Sequence, residues 1–123
     1  MKRVLVVDDD EDMRELMVML LRGSYDVASA RDGLEGLELA RSLHPDLVVL
    51  DLLMPRMHGF EVCQNIRADA GLKSMKILIS SSKSYQHDVR TAVDETGADS
   101  YIVKPFAIDE FTSRVAALLG EAS

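Results

Sequence analysis

The sequence predicts an α/β domain: a doubly wound, five-stranded parallel sheet with five helices in a three-layer α/β/α arrangement. Two observations carry this. Five short apolar runs alternate with five segments of helical period, an order that predicts parallel strands joined by right-handed crossovers. Three of the runs, VLVV, LVVL and ILI, are also unbroken, as expected of strands covered on both faces.

The first strand is Val4–Val7. Met13, Leu16, Met17 and Leu20 then recur at i, i+3, i+4 and i+7, and Gly23 follows this first helix. Met13, Met17 and Met19 are expected to fill the core beneath it. Tyr25–Ser29 is the second strand, and Asp32 is an N-cap candidate for a helix with Leu34, Leu37 and Ala40 on one face. Pro45 lies just past its end. Leu47–Leu50 is the third strand, and Val62, Cys63 and Ile66 mark the third helix. After the fourth strand, Ile77–Ile79, the residues Val89, Ala92, Val93 and Thr96 indicate a fourth helix closed by Gly97. Tyr101–Val103 is the fifth strand, and Ile108, Phe111, Val115 and Leu118 mark the fifth helix.

The 123 residues suffice for one domain with its own core, and residues 1–123 are expected to form a single domain. Hydrophobic residues at 47% and charged residues at 28% argue for a folded chain. A net charge of −7 argues against direct nucleic-acid binding, which needs clustered Lys and Arg. It suits a cation site or a partner with a basic face. The lone Cys63 excludes an intramolecular disulfide and reads as a small core residue. The apolar run ending at Val7 is too short for a signal-peptide core or a membrane span, so the expected location is cytoplasmic, with no membrane insertion. His44, His58 and His87 have no metal-ligand spacing and are expected at the surface.

In an open parallel sheet, ligands gather at the carboxyl ends of the strands. Asp8, Asp9 and Asp10 follow the first strand, Asp51 the third, Ser80, Ser81 and Ser82 the fourth, and Lys104 and Pro105 the fifth. Four chain segments thus bring acids, hydroxyls and a lysine to one edge. Clustered carboxylates need a counter-ion, and hard oxygen ligands beside water and phosphate suit Mg²⁺, with Mn²⁺ able to substitute. A lysine can hold a phosphoryl oxygen, a hydroxyl can donate to it, and an aspartate can itself accept a phosphoryl group. The run DDDED at 8–12 therefore divides. Asp8 and Asp9 face the cation, whereas Asp10, Glu11 and Asp12 cap and start the first helix.

Three segments, VLVVDDDEDMREL at 4–16, PDLVVLDLLMPRMHGFEV at 45–62 and GADSYIVKPF at 97–106, resemble the receiver domains of two-component response regulators. The resemblance covers essentially the whole chain and implies strand order 2-1-3-4-5. It implies that Asp51 accepts a phosphoryl group from a phosphohistidine on a histidine kinase or phosphotransfer protein. Asp9 would bind Mg²⁺ directly, Asp8 through water, and Leu53 through its backbone carbonyl. Lys104 would pair with a phosphoryl oxygen and precede a cis peptide to Pro105. Pro55 and Gly59 match the turn after the acceptor. The chain would be no classical enzyme, but would promote its own phosphorylation and dephosphorylation. Phosphorylation would draw in a switch hydroxyl and then Tyr101. It would thereby alter a face that includes Arg90, Val93, Tyr101, Ala107, Glu110 and Phe111. A downstream protein, an attached output domain or a second phosphorylated copy would read that face.

The switch hydroxyl departs from the family's usual Thr. Counting forward from Asp51 selects Ser81, counting back from Lys104 selects Ser82, and Ser81 is preferred because the path from Asp51 aligns without gaps. His58 stands where Asp or Asn is commoner. Leu53 and Lys83 occupy places that influence acyl-phosphate hydrolysis, and an apolar Leu53 implies a long-lived phosphoryl group. The competing classes fit less well. A dehalogenase-type phosphatase needs an acid where Leu53 stands, and a flavin carrier needs hydroxyls rather than acids after the first strand. An EF-hand loop starting at Asp8 would have Met13 in place of its glycine. An inactive scaffold would not need Asp8, Asp9, Asp51 and Lys104 intact.

Overall fold

The computed structural model describes residues 1–54, 56–82 and 97–121. Five strands form one parallel sheet: β1 (Arg3–Val7), β2 (Asp26–Ala30), β3 (Leu47–Asp51), β4 (Lys76–Ser82) and β5 (Ser100–Lys104). Their order is β2-β1-β3-β4-β5, as the resemblance implied. Four helices occur among the described residues: α1 (Glu11–Leu21), α2 (Gly33–Leu43), α3 (Gly59–Ala68) and α4 (Ile108–Leu118). The helix expected around Val89–Thr96 lies outside the described residues.

Alternate residues of each strand feed two cores, because successive side chains in a strand point to opposite faces. Leu5, Val7, Val48, Leu50, Ile77 and Ile79 pack under α2 and α3 with Leu37, Val62, Cys63 and Ile66. Val4, Val6, Leu47, Val49, Leu78 and Ile102 pack on the other side with Met17 and Leu21 of α1 and with Phe111 and Val115 of α4. The unbroken apolar runs therefore supply both layers, and Cys63 is a core residue as expected.

Local chemistry starts α1 and α2 where the sequence indicated. Asp10 is the N-cap of α1, its carboxylate accepting from the Asp12 amide at 3.1 Å. Asp32 caps α2 by accepting from the Glu35 amide at 2.9 Å, while Glu35 reaches back to the Arg31 amide at 3.0 Å. His58 caps α3 through Nδ1, which accepts from the Phe60 amide at 3.2 Å. These bonds satisfy amides that a helix start leaves without partners.

Three expectations are corrected. The fourth strand, expected to end at Ile79, runs on to Ser82, with Ser80, Ser81 and Ser82 paired to Ile102, Val103 and Lys104 of β5. Met19 is 58% exposed; the inner face of α1 is filled by Met13, Met17, Val18, Leu20 and Leu21 instead. Phe111, placed on the readout face by its sequence position, is fully buried with its ring stacked on Phe106. Among the described residues no helix is long and apolar enough to cross a membrane.

Candidate functional site

The carboxyl ends of β1, β3 and β5 meet at one edge. Asp51 is the last residue of β3 and Lys104 the last of β5, while Asp8 directly follows β1. Asp8 is fully buried. Its amide donates to the Ala30 carbonyl at 3.2 Å, and its Oδ1 accepts from the Asp10 amide at 2.9 Å. The Arg14 guanidinium donates to its carbonyl at 2.9 Å. The Asp8 side chain is thus fixed between the sheet and the start of α1.

Lys104 Nζ lies 3.2 Å from Asp8 Oδ2 and 3.4 Å from Asp51 Oδ2. One ammonium bridges two buried carboxylates, which explains how they coexist at close range. Asp51 Oδ1 also accepts from the Leu53 amide at 3.4 Å. Asp9 is exposed, and one carboxylate oxygen from each of Asp8, Asp9 and Asp51 lies within 4.8 Å of the others. Three hard oxygen donors with an open side fit a small divalent cation held partly by water.

Burial pushes the Asp51 carboxyl up to about 6; the Asp8 carboxylate adds to this, and Lys104 and the Leu53 amide oppose it. Burial pulls the Lys104 ammonium down, but the Asp51 and Asp8 carboxylates outweigh it and hold it above its ordinary value. The Asp51 shift has a consequence for stability. An aspartate whose folded pKa exceeds its unfolded value of about 3.9 weakens the fold as pH rises through that interval. In cation-free buffer, Asp51→Asn is therefore expected to stabilise the protein by roughly 3 kcal/mol at neutral pH, and by little at pH ~4. Urea unfolding in a chelator at both pH values checks this. Equal stability of the two proteins at neutral pH would contradict it.

The loop after Asp51 is held from below. A Cβ on Gly59 would lie 2.5 Å from the Asp51 carbonyl oxygen, and the Gly59 amide donates to Leu52 at 2.9 Å. A Cβ on Gly33 would lie 2.0 Å from the Met57 carbonyl oxygen. Arg56, with φ of 71°, pairs with Asp32 at 3.4 Å. Sequence reasoning missed the Asp32–Arg56 pair and the Gly33 contact, because both join segments that carry no shared pattern.

Of the expected site residues, Asp8, Asp9, Asp51 and Lys104 come together. Leu53 stands beside them, 42% exposed, and the Lys104–Pro105 peptide is cis. Ser81 is buried, its Oγ donating to the Ser82 carbonyl at 3.2 Å. By strand alternation it shares a face with Ile79, Val103 and the half-buried Tyr101. Ala107 and Glu110 are exposed, with Glu110 3.9 Å from Arg114, whose guanidinium also bonds the Tyr101 carbonyl. Pro55, Lys83, His87, Arg90 and Val93 lie outside the described residues.

A family model for the response regulator receiver domain matches residues 4–116. The chain belongs to that family. Among its relatives, the DNA-binding response regulator MtrA of Mycobacterium tuberculosis is 44% identical over 119 residues, covering 96% of this chain and 50% of that protein. The DNA-binding dual master transcriptional regulator RpaA of Synechocystis is 40% identical over 120 residues, covering 97% of this chain and 49% of that protein. The chain spans about half the length of the curated relatives it matches. The Vibrio cholerae chemotaxis protein CheY4 superposes with a TM-score of 0.88 at 28% identity, over 96% of this chain and 98% of that one. A Francisella response regulator receiver domain gives 0.87 at 28% identity, over 98% of each chain. As a receiver domain, the chain is part of phosphorylation-based two-component signalling.

Proposed function

We infer that residues 1–123 form a single receiver domain that takes a phosphoryl group onto Asp51 and uses it to control partner binding. The observation that carries this is the Lys104 ammonium, placed between the buried Asp8 and Asp51 carboxylates beside the exposed Asp9. The donor is a phosphohistidine on a histidine kinase or phosphotransfer protein. An Asp51 carboxylate oxygen forms the new bond to phosphorus, the P–N bond of the donor breaks, and the imidazole nitrogen keeps the electron pair. Asp8, Asp9, Asp51 and the Leu53 carbonyl would hold Mg²⁺, or Mn²⁺ in its place, and a cation bound there would supply positive charge against the transferring oxygens. Lys104 turns to a phosphoryl oxygen, and Ser81 donates to another.

Ser81 and Tyr101 share a sheet face, which supports transmission from the hydroxyl to the aromatic ring. The surface around Tyr101, Ala107 and Glu110 then presents a changed partner face; Arg90 and Val93, outside the described residues, are assigned to it by the family resemblance alone. A coupling of roughly 1–3 kcal/mol suffices to change partner affinity five- to 150-fold. The reader is a downstream protein, an attached output domain or a second phosphorylated copy. The net charge of −7 favours a protein partner over direct nucleic-acid contact for this chain. The location is cytoplasmic.

Incubation with acetyl phosphate and Mg²⁺ tests the reading by intact mass. The expected result is one added phosphoryl group, lost in Asp51→Asn; no addition to the parent would refute it. Leu53 supplies a second check. Its apolar side chain hinders water at the phosphoryl group, so Leu53→Asn is expected to shorten the phosphoryl lifetime, and an unchanged rate would sink that point.

A further inference from the structure

Ser80 is fully buried, and among the described residues its Oγ has no hydrogen-bond partner. A buried hydroxyl without a partner is unfavourable, and Ala would remove that penalty. Its position in the sheet indicates what it is for. Ser80 is the register partner of Asp51 on one side and of Ile102 on the other. Paired residues of neighbouring strands project to the same face, so Ser80 shares the face of Asp51 and Lys104, and Ser81 takes the opposite one. The hydroxyl nearest in register to the acceptor is therefore Ser80. At rest, both oxygens of Asp51 are engaged, Oδ1 by the Leu53 amide and Oδ2 by Lys104.

We propose that Ser80 is a positioning residue for phosphoryl transfer: its Oγ–H donates to the Asp51 carboxyl group when Lys104 turns from Asp51 to the incoming phosphoryl oxygen. This rests on Asp51 being the phosphoacceptor. The bond taken over by the hydroxyl fixes the orientation of the acceptor, which matters because small misplacements of a nucleophile slow transfer. With acetyl phosphate, the Asp51 oxygen bonds to phosphorus, the P–O bond to acetate breaks, and acetate leaves with the electron pair. Ser80 keeps its proton throughout.

The test compares Ser80→Ala, Ser80→Thr and Ser80→Val by phosphorylation rate and by thermal unfolding without phosphodonor. Thr and Val share a shape and differ by the hydroxyl, so packing strain cancels between them. Ser80→Ala is expected to melt at or above the parent temperature yet accept phosphate roughly two- to tenfold more slowly, the range that one neutral hydrogen bond spans. Ser80→Thr is expected to be faster than Ser80→Val. An Ala variant as fast as the parent overturns the proposal while leaving Asp51 as acceptor. So does equal slowing in Thr and Val, which would make the effect one of packing. A parent that takes up no phosphoryl group overturns both.

Discussion

Lys104→Met will cost the fold about 3–5 kcal/mol in cation-free buffer at neutral pH, the range for removing one partner from a buried ion pair. Lys104 Nζ is the cation within 3.4 Å of both Asp8 Oδ2 and Asp51 Oδ2. Met keeps the apolar stem, so the loss isolates the charge. The deficit should shrink as pH falls towards ~6, because Lys104 lowers the Asp51 pKa of about 6, so without it Asp51 takes up its proton at higher pH and relieves the repulsion. Urea unfolding across pH measures this. Mg²⁺ gives a second reading. A cation at a hundred times its dissociation constant stabilises by about 2.7 kcal/mol, so added Mg²⁺ should recover much of the loss. A Lys104→Met protein as stable as the parent in chelator at neutral pH would show that the ammonium is not what lets the carboxylates coexist.

Gly59→Ala has the second large effect. The added Cβ would meet the Asp51 carbonyl oxygen at 2.5 Å and Leu52 Cα at 2.8 Å. Both are backbone atoms at the end of β3 and cannot rotate away, so either α3 or the end of β3 must shift. Overpacking of this kind costs roughly 1–3 kcal/mol or more, and a displaced Asp51 should also lose phosphorylation rate. Gly23→Ala is the control, since nothing lies within 4 Å of its added Cβ. Unfolding midpoints and phosphorylation rates for both variants test the contrast. Equal behaviour of the two would mean that the Gly59 contact yields without consequence.

The alternation of strands and helices was legible because it is written in hydrophobic period, which two-sided burial imposes on β1, β3 and β4. The caps at Asp10 and Asp32 were legible because side-chain capping is local. Asp8, Asp9, Asp51 and Lys104 were placed by the rule that parallel strands deliver their carboxyl ends to one edge. The serines were not resolved. Hydroxyl residues carry no strand period, and only pairing with β3 and β5 makes Ser80–Ser82 part of β4 and sets which side each faces. Counting residues addressed Ser81 and Ser82 but not Ser80, whose place opposite Asp51 is a matter of register. Phe111 was misplaced because a helix face seen in sequence does not say which neighbour covers it. Its partner Phe106 comes from the segment before α4.

Borohydride trapping locates the phosphoryl group. After incubation with acetyl phosphate and Mg²⁺, reduction converts an acyl phosphate of aspartate to homoserine, which peptide mass spectrometry can place in the chain. The expected result is conversion at position 51 and at no other carboxylate, absent when the phosphodonor is omitted. Conversion at Asp8 or Asp9 with Asp51 untouched, or phosphate retained on a serine after reduction, would contradict the assignment of Asp51 as the phosphoacceptor.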